Sequence, residues 1–571
     1  KAFVSIDFGA THTGVSYAIS TPGEVHQILA WPGSSDSFSK VPTCLVYDAL
    51  GDIRAWGLEA VDINLKKGWL RCELFKLWLD PSSAPSTILE STFFQRPKNA
   101  VGLVADYLSC IWTHTKNQIH QENGSCSLSA WWLSVPSSWD LRATLFLREA
   151  AIKAGLVVQD SESEDIYWKE RLHIIPDTEV SVIHSILSPT FRFERGGLTI
   201  CDAGGATVDL ATYNAVRALS PGLPKIVEAA PRSGSYCGSL FLDLRFRELV
   251  QERLATHPVH LDEASLAHFV RSFSRSEKLA YKGTEDDTKL FRFRCLHVED
   301  LHDPAVGLDH GELVIPGDVL RCEVFDPVVD QVLHSIATHV EASKVRIDTL
   351  LLVGGFSTNE YLFRRITEQF GSSTVSVIRP ADGDIASCRG GPRFGISSLV
   401  SSVIHPQSVF LRVALPAERE DRMMRPVYIR TVRGGSLCEH RVQYIARRGA
   451  SVMKGGRSEL RLRKFAPLNL VYRTFELVLY TSNGEQTRRY FDQEECEELC
   501  RCRVDLGMYP SFREQVEASP FGDFYVDFVL GFEMGSAEIR SVLLYKGVKC
   551  GSVTCHPRSC RAPRLIIPPW C

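Results

Sequence analysis

Two stretches far apart in the chain carry the same local grammar. The first is Ile6-Asp7-Phe8-Gly9-Ala10-Thr11-His12-Thr13-Gly14, and the second is Cys201-Asp202-Ala203-Gly204-Gly205-Ala206-Thr207-Val208-Asp209. In each, an apolar strand delivers an aspartate, a glycine-rich turn with a threonine follows, and a second strand leaves (Val15–Ile19, Val208–Tyr213). Glycines let backbone N–H groups come close to phosphate oxygens, and a tight turn aims them at an anion. Carboxylates repel phosphate, so the aspartates are placed to hold hydrated Mg²⁺ and orient a water. The repeat predicts two lobes closing on one nucleotide; a lone copy would read as an ordinary hairpin.

A third element joins them. Leu350-Leu351-Leu352-Val353-Gly354-Gly355-Phe356-Ser357 is a buried strand ending in Gly-Gly, followed by a helix for which Ser357 or Thr358 is the expected cap. Backbone there can lie flat against a ligand at a helix N-terminus. No Gly-Lys dipeptide occurs, which excludes a Walker-type phosphate loop.

Together these segments resemble the heat-shock 70-kDa protein family of the actin-like ATPase superfamily. Val4–Tyr17 is similar to its first phosphate loop, Thr199–Thr212 to its second, and Leu350–Leu362 to its adenosine motif. Leu133-Ser134-Val135-Pro136-Ser137 and the helix running to Gly155 resemble its first connecting segment. The resemblance spans roughly residues 1–402 and points to a divergent branch common in fungi. It implies an α/β fold: a duplicated, two-lobed actin-like (RNase H-like) ATPase domain, plus a smaller C-terminal β-rich domain.

The resemblance also implies roles. Asp7, Asp202 and Asp209 would surround Mg²⁺ through water, and Gly9, Ala10, Thr11, His12, Gly204, Gly205, Ala206 and Thr207 would hold the phosphates of ATP or ADP, with Gly238 approaching from the second lobe. Lys76, in Leu74-Phe75-Lys76-Leu77, is similar to the family's lysine on the γ-phosphate and attacking water; a solvated surface lysine is the other reading. Asp177 stands at the water-orienting motif, with Glu179 competing, and Asp202 and Thr207 complete the catalytic set. Gly354, Gly355 and Phe356 match the adenosine motif. Glu277 and Lys278 would reach the ribose and base, or form a helix-surface pair.

Departures from the family pattern predict slow hydrolysis. Ala10 replaces a threonine, Asp177 a longer glutamate, and Ala206 a glycine. The last would cost about 1 kcal/mol if its φ were positive.

The expected domains are 1–402 for the ATPase, 403–552 for the β-rich module and 553–571 for a loose tail. Lobe I takes about 1–190 and 376–402 with an insertion at 39–128; lobe II takes about 191–375 with an insertion at 230–311. Ser137 or Ser138 is expected to cap the helix before Gly155, and Gly390-Gly391 to allow close helix packing. Tyr472–Thr481 followed by Gln486–Phe491 reads as a hairpin, and Phe524–Phe532 and Glu538–Tyr545 as two further strands.

Composition bounds the partners. With 571 residues and 44% hydrophobic content the chain can hold several cores. Its 64 basic and 68 acidic residues give a net charge of −4, which offers no pull toward nucleic acid or anionic membrane. The first strand follows Lys1 at once and no signal peptide is visible, so a cytoplasmic location is expected. Of 17 cysteines most stand singly, as reduced thiols would. Cys496, Cys500 and Cys502 lack zinc-finger spacing; Cys550, Cys555, His556 and Cys560 are the available second ligands, and helix-face or tail thiols are the preferred reading.

The functional expectation is an ATP- and Mg²⁺-binding, heat-shock-70-like ATPase whose slow turnover is coupled to a polypeptide client or protein partner. An ATP-dependent enzyme acting on a small-molecule substrate, and a nucleotide-bound scaffold with little turnover, are the alternatives.

Overall fold

The computed structural model describes residues 2–19, 24–81, 84–85, 97–124, 128–158, 168–188, 191, 193, 196–216, 225–297, 302–394, 399–432, 435–466, 473–484, 486–493, 495–518 and 524–557. Over these residues the chain is mixed α/β with several sheets. It divides into two compact units: one holds the chain to Trp139, Leu147–Val158 and Glu170–Ser402, and the other holds Asp140–Phe146 and the chain from Val403.

Two sheets organise the first unit. In one, Val25–Gln27, His12–Ile19, Ala2–Phe8, Leu128–Val135 and Leu172–Pro176 lie side by side. In the other, the order is Ser376–Ile378, Ile347–Val353, Gly197–Ala203, Val208–Val216 and Lys225–Glu228, with Val400 and Ser402 paired beyond. Each contains an antiparallel hairpin whose first strand also runs parallel to a later strand: Ala2–Phe8 beside Leu128–Val135, and Gly197–Ala203 beside Ile347–Val353. These first strands are buried almost throughout, which explains why they read as apolar runs without alternation.

The turns of the two hairpins close alike. Gly9 N donates to His12 O at 3.1 Å, and Gly204 N donates to Thr207 O at 2.9 Å. The matching registers, Asp7 opposite Gly14 and Asp202 opposite Asp209, bring each aspartate to the end of its strand.

The helix Ala386–Phe394 lies against the helix Asp177–Ile186 at Gly390 and against the strand Ala2–Phe8 at Gly391. A Cβ on Gly390 would stand 2.1 Å from Val180 O, and one on Gly391 1.9 Å from Ser5 Oγ, so only glycine permits this approach. Pro327 lies inside a continuous helical run, Gly317–Leu320, Arg321–Phe325 and Asp326–Ser343, directly after the π-helical turn Arg321–Phe325.

Local expectations are corrected at several points. Asp140, not Ser137 or Ser138, caps Leu141–Lys153, its carboxylate accepting from Ala143 N at 2.7 Å. Asn359 caps Glu360–Phe370 by accepting from Leu362 N, while Ser357 and Thr358 turn back to the carbonyls of Gly354 and Gly355. Ala206 is absent from the positive-φ residues, so its replacement of glycine carries no backbone strain.

The second unit has a six-stranded sheet, ordered Ile429–Val432, Gly435–Ala446, Ser408–Pro416, Thr474–Ser482, Glu497–Asp505 and Thr554–Pro557. A four-stranded sheet holds Arg457–Ala466, Phe524–Met534, Ile539–Tyr545 and Val548–Ser552. Val409, Leu479 and Cys502 from the first share one core with Leu460, Phe528 and Leu543 from the second. Thr474–Ser482 pairs with Glu497–Asp505 rather than with Gln486–Phe491, which forms no strand among its described residues. The expected loose tail begins with an ordered strand, Thr554–Pro557, on the edge of the six-stranded sheet. Residues 558–571, and with them Cys560, lie outside the described residues. No helix among the described residues is long and apolar enough to cross a membrane.

Candidate functional site

Both glycine turns open onto one cavity of about 550 Å³. Asp7, Gly9, Ala10, Thr11 and His12 line it from the first hairpin; Asp202, Gly204, Gly205, Ala206, Thr207 and Asp209 line it from the second. Gly354, Gly355 and Phe356 close another wall, and Lys76, Asp177 and Lys278 also face it. The turns approach closely enough that a Cβ on Gly205 would stand 2.3 Å from Thr11 Oγ1. Gly354 has φ +86°, and a Cβ there would strike Asp202 Oδ1 at 2.5 Å, whereas a Cβ on Gly355 would enter open space.

Two predicted residues fall elsewhere. Gly238 supports the second turn from behind: its N–H donates to Ala206 O at 3.0 Å, and a Cβ would meet Gly205 backbone at 2.6 Å. Glu277 is outside the cavity lining and lies 3.7 Å from Lys289 Nζ. The adjacent Lys278, in the turn that follows the helix Glu263–Ser276, lines the cavity and pairs with Asp243 at 2.7 Å. Glu179 is buried away from the lining, so of these two carboxylates it is Asp177 that reaches the cavity.

Lys76 is not a surface lysine. It is 4% exposed, donates to Phe8 O, and lies 5.5 Å from the Phe8 ring centroid and 5.2 Å from that of Trp139. Leu74, at φ +56°, turns the chain into the short helical segment Phe75–Leu79 that delivers this lysine. A non-glycine residue in that region stores about 1–3 kcal/mol of strain, offset by the burial of Phe75, Leu77 and Leu79.

The carboxylates are crowded and dry. Burial raises Asp202, with Asp177, Asp7 and Asp209 adding their repulsion, to about 8. Burial likewise lifts Asp177 to about 7 against the attraction of Lys76. Asp209 is also raised by burial, although Ser138 N donates to its Oδ1 at 3.0 Å. Asp7 goes the other way: burial opposes its charge, but Lys40 at 2.8 Å and Ser387 at 2.6 Å hold it below the usual carboxylate range. His12 is exposed at the cavity mouth, and partial desolvation with the charges of Lys40 and Lys278 pushes its imidazole down, so its ring is neutral at pH 7.

This donor set fits a hard divalent cation. It is all oxygen, Asp7 is held ionised, and Asp177 Oδ1 is buried without a hydrogen-bond partner. Asp7, Asp202 and Asp209 are not among the groups whose ligand atoms all lie within 4.8 Å of one another, so contact through water suits them better than direct coordination.

Sequence reasoning missed Lys40, Ser387, Ser138 and Ser181, the last donating to Asp202 Oδ2 at 3.0 Å. Lys40 and Ser387 reach Asp7 across long stretches of chain, and no local pattern marks either.

No family model matches the chain. It is 24% identical to human heat shock 70 kDa protein 12B, over 69% of this chain and 68% of that protein. It is 23% identical to the mouse heat shock 70 kDa protein 12A and 22% identical to the human one, with 70% of each chain covered.

Proposed function

We propose, from its similarity to the heat shock 70 kDa proteins 12A and 12B, that this chain is a heat-shock-70-like protein that binds ATP and ADP with Mg²⁺ and hydrolyses ATP slowly. The observation that carries the reading is the convergence of two like-closed glycine turns, the carboxylates of Asp7, Asp177, Asp202 and Asp209, and the buried Lys76 on one cavity. The reading takes residues 1–402 as a two-lobed actin-like ATPase domain and residues 403–552 as a β-rich partner-binding domain in a cytoplasmic chaperone.

Backbone N–H groups of the turns would hold the phosphates, with Thr11 and Thr207 adding hydroxyls. Asp7, Asp202 and Asp209 would hold hydrated Mg²⁺, which when bound supplies charge neutralisation on the phosphate oxygens. Asp177, protonated or ionised near neutral pH, is suited to orient the attacking water and take its proton, and Lys76 to stabilise charge on the transferred group. Phe356 and the open face at Gly355 would receive the adenosine.

A second reading, a nucleotide-bound scaffold with little turnover, is favoured by Lys40, which already neutralises Asp7. Calorimetry with ATP and ADP, with and without Mg²⁺, tests binding; phosphate release under single turnover separates the readings. Unchanged binding in both Asp202→Asn and Gly355→Trp would overturn the nucleotide assignment.

Coupling to a client is tested by peptide affinity in ADP and ATP. The sequence Ile396–Leu415 has no acidic residue, unlike the acid-flanked apolar linker that the family resemblance leads one to expect. ATP is therefore expected to change generic peptide binding by less than tenfold, about 1.4 kcal/mol.

A further inference from the structure

We propose that Cys500, Cys502 and Cys555 form a thiolate site for one Zn²⁺ that fastens the strand Thr554–Pro557 to its sheet. Cys500 and Cys502 are two apart on the strand Glu497–Asp505, so their side chains share a face, and Cys502 stands directly opposite Cys555 in the antiparallel ladder. The three sulfur atoms all lie within 4.8 Å of one another, and those of Cys500 and Cys502 are 3.8 Å apart. Tetrahedral zinc with Zn–S bonds of about 2.3 Å requires S···S edges of about 3.8 Å. The thiols are therefore near the geometry zinc would impose before any metal arrives.

The surroundings suit a soft cation. Cys500 and Cys502 are each 2% exposed within an apolar core, while Cys555 is partly open and gives a route in. Ser541 Oγ lies 3.6 Å from Cys555 Sγ and 4.0 Å from Cys502 Sγ, placed to donate to a thiolate or to hold the water that completes four-coordination. Zn²⁺ displaces three S–H protons and forms three Zn–S bonds, leaving a site of net charge −1 with water as fourth ligand. Linear spacing gives no zinc-finger pattern because the ligands come from two strands far apart in the chain.

The test uses the full chain purified without chelator. Elemental analysis is expected to find one zinc per chain, and Co²⁺ exchanged into the metal-depleted protein is expected to give thiolate-to-cobalt charge-transfer absorption. Cys502→Ser and Cys555→Ser should weaken Zn²⁺ by about tenfold or more, while Cys496→Ser and Cys550→Ser leave it unchanged. Cys555→His, which keeps a zinc ligand, should restore binding and guards against a variant that merely misfolds. Zinc retained in full by Cys555→Ser, no thiolate–cobalt band, or a mapped Cys502–Cys555 disulfide in the purified chain would each overturn the proposal.

Discussion

The Lys40 ammonium lies 2.8 Å from Asp7 Oδ2, at the carboxylate which the first glycine turn brings to the cavity. Burial disfavours the charge on Lys40, yet the pair with Asp7 raises its pKa on balance, so it stays protonated. A fixed cation thus occupies part of the space where Mg²⁺ charge would be felt.

From this we expect weak metal dependence in the native protein. Mg²⁺ should strengthen ADP binding by less than about tenfold relative to EDTA, and Lys40→Met should widen that ratio by about tenfold or more. Calorimetry in both media measures it. Equal ratios in the two proteins would show that Lys40 does not compete with the metal.

Lys76 should matter for turnover and not for affinity. Lys76→Met keeps much of the buried stem against Phe8 and Trp139 but removes the charge. Single-turnover phosphate release should fall by about tenfold or more, a barrier rise of about 1.4 kcal/mol, with ADP affinity within about threefold. Unaltered release would remove Lys76 from the chemistry.

Asp202 predicts a pH dependence of known sign. Its folded pKa, about 8, exceeds the ordinary 3.8, so between those values the native state holds a proton the unfolded chain has lost. The unfolded state binds fewer protons there, and this group's contribution to stability falls as pH rises through the window. Asp202→Asn should therefore melt higher than the native, ligand-free protein at pH 8, by about 2 °C or more, with the gap closing toward pH 5. A gap that widens on acidification would reverse the assignment.

Two glycines should respond in opposite ways. Gly390→Ala forces a methyl against Val180 O and should cost about 1–3 kcal/mol by chemical denaturation. Gly355→Ala meets open space and should leave stability unchanged, while Gly355→Trp fills the cavity and should abolish nucleotide binding. Equal stability of the two alanine variants would contradict the helix packing.

Much of the candidate site was legible in the chain because its chemistry is local. Asp7 with Gly9–His12, Asp202 with Gly204–Asp209, and Gly354–Phe356 are each a strand end and its turn, where residue order alone fixes what lies side by side. Gly390-Gly391 was readable for the same reason: glycine acts through its own backbone.

Long-range pairing was not legible. Nothing adjacent to Lys40 or Ser387 announces that both reach Asp7, and Glu277 and Lys278 look equivalent until the helix end sends one inward. The edge strand Thr554–Pro557 was hidden in a tail-like composition, because its stabilisation comes from a ladder with residues some fifty positions earlier. Sequence determined the turns, their aspartates and the glycines that permit close approach. Tertiary structure decided which charges meet, and therefore which carboxylates stay ionised, since burial and neighbouring charge are properties of the folded arrangement alone.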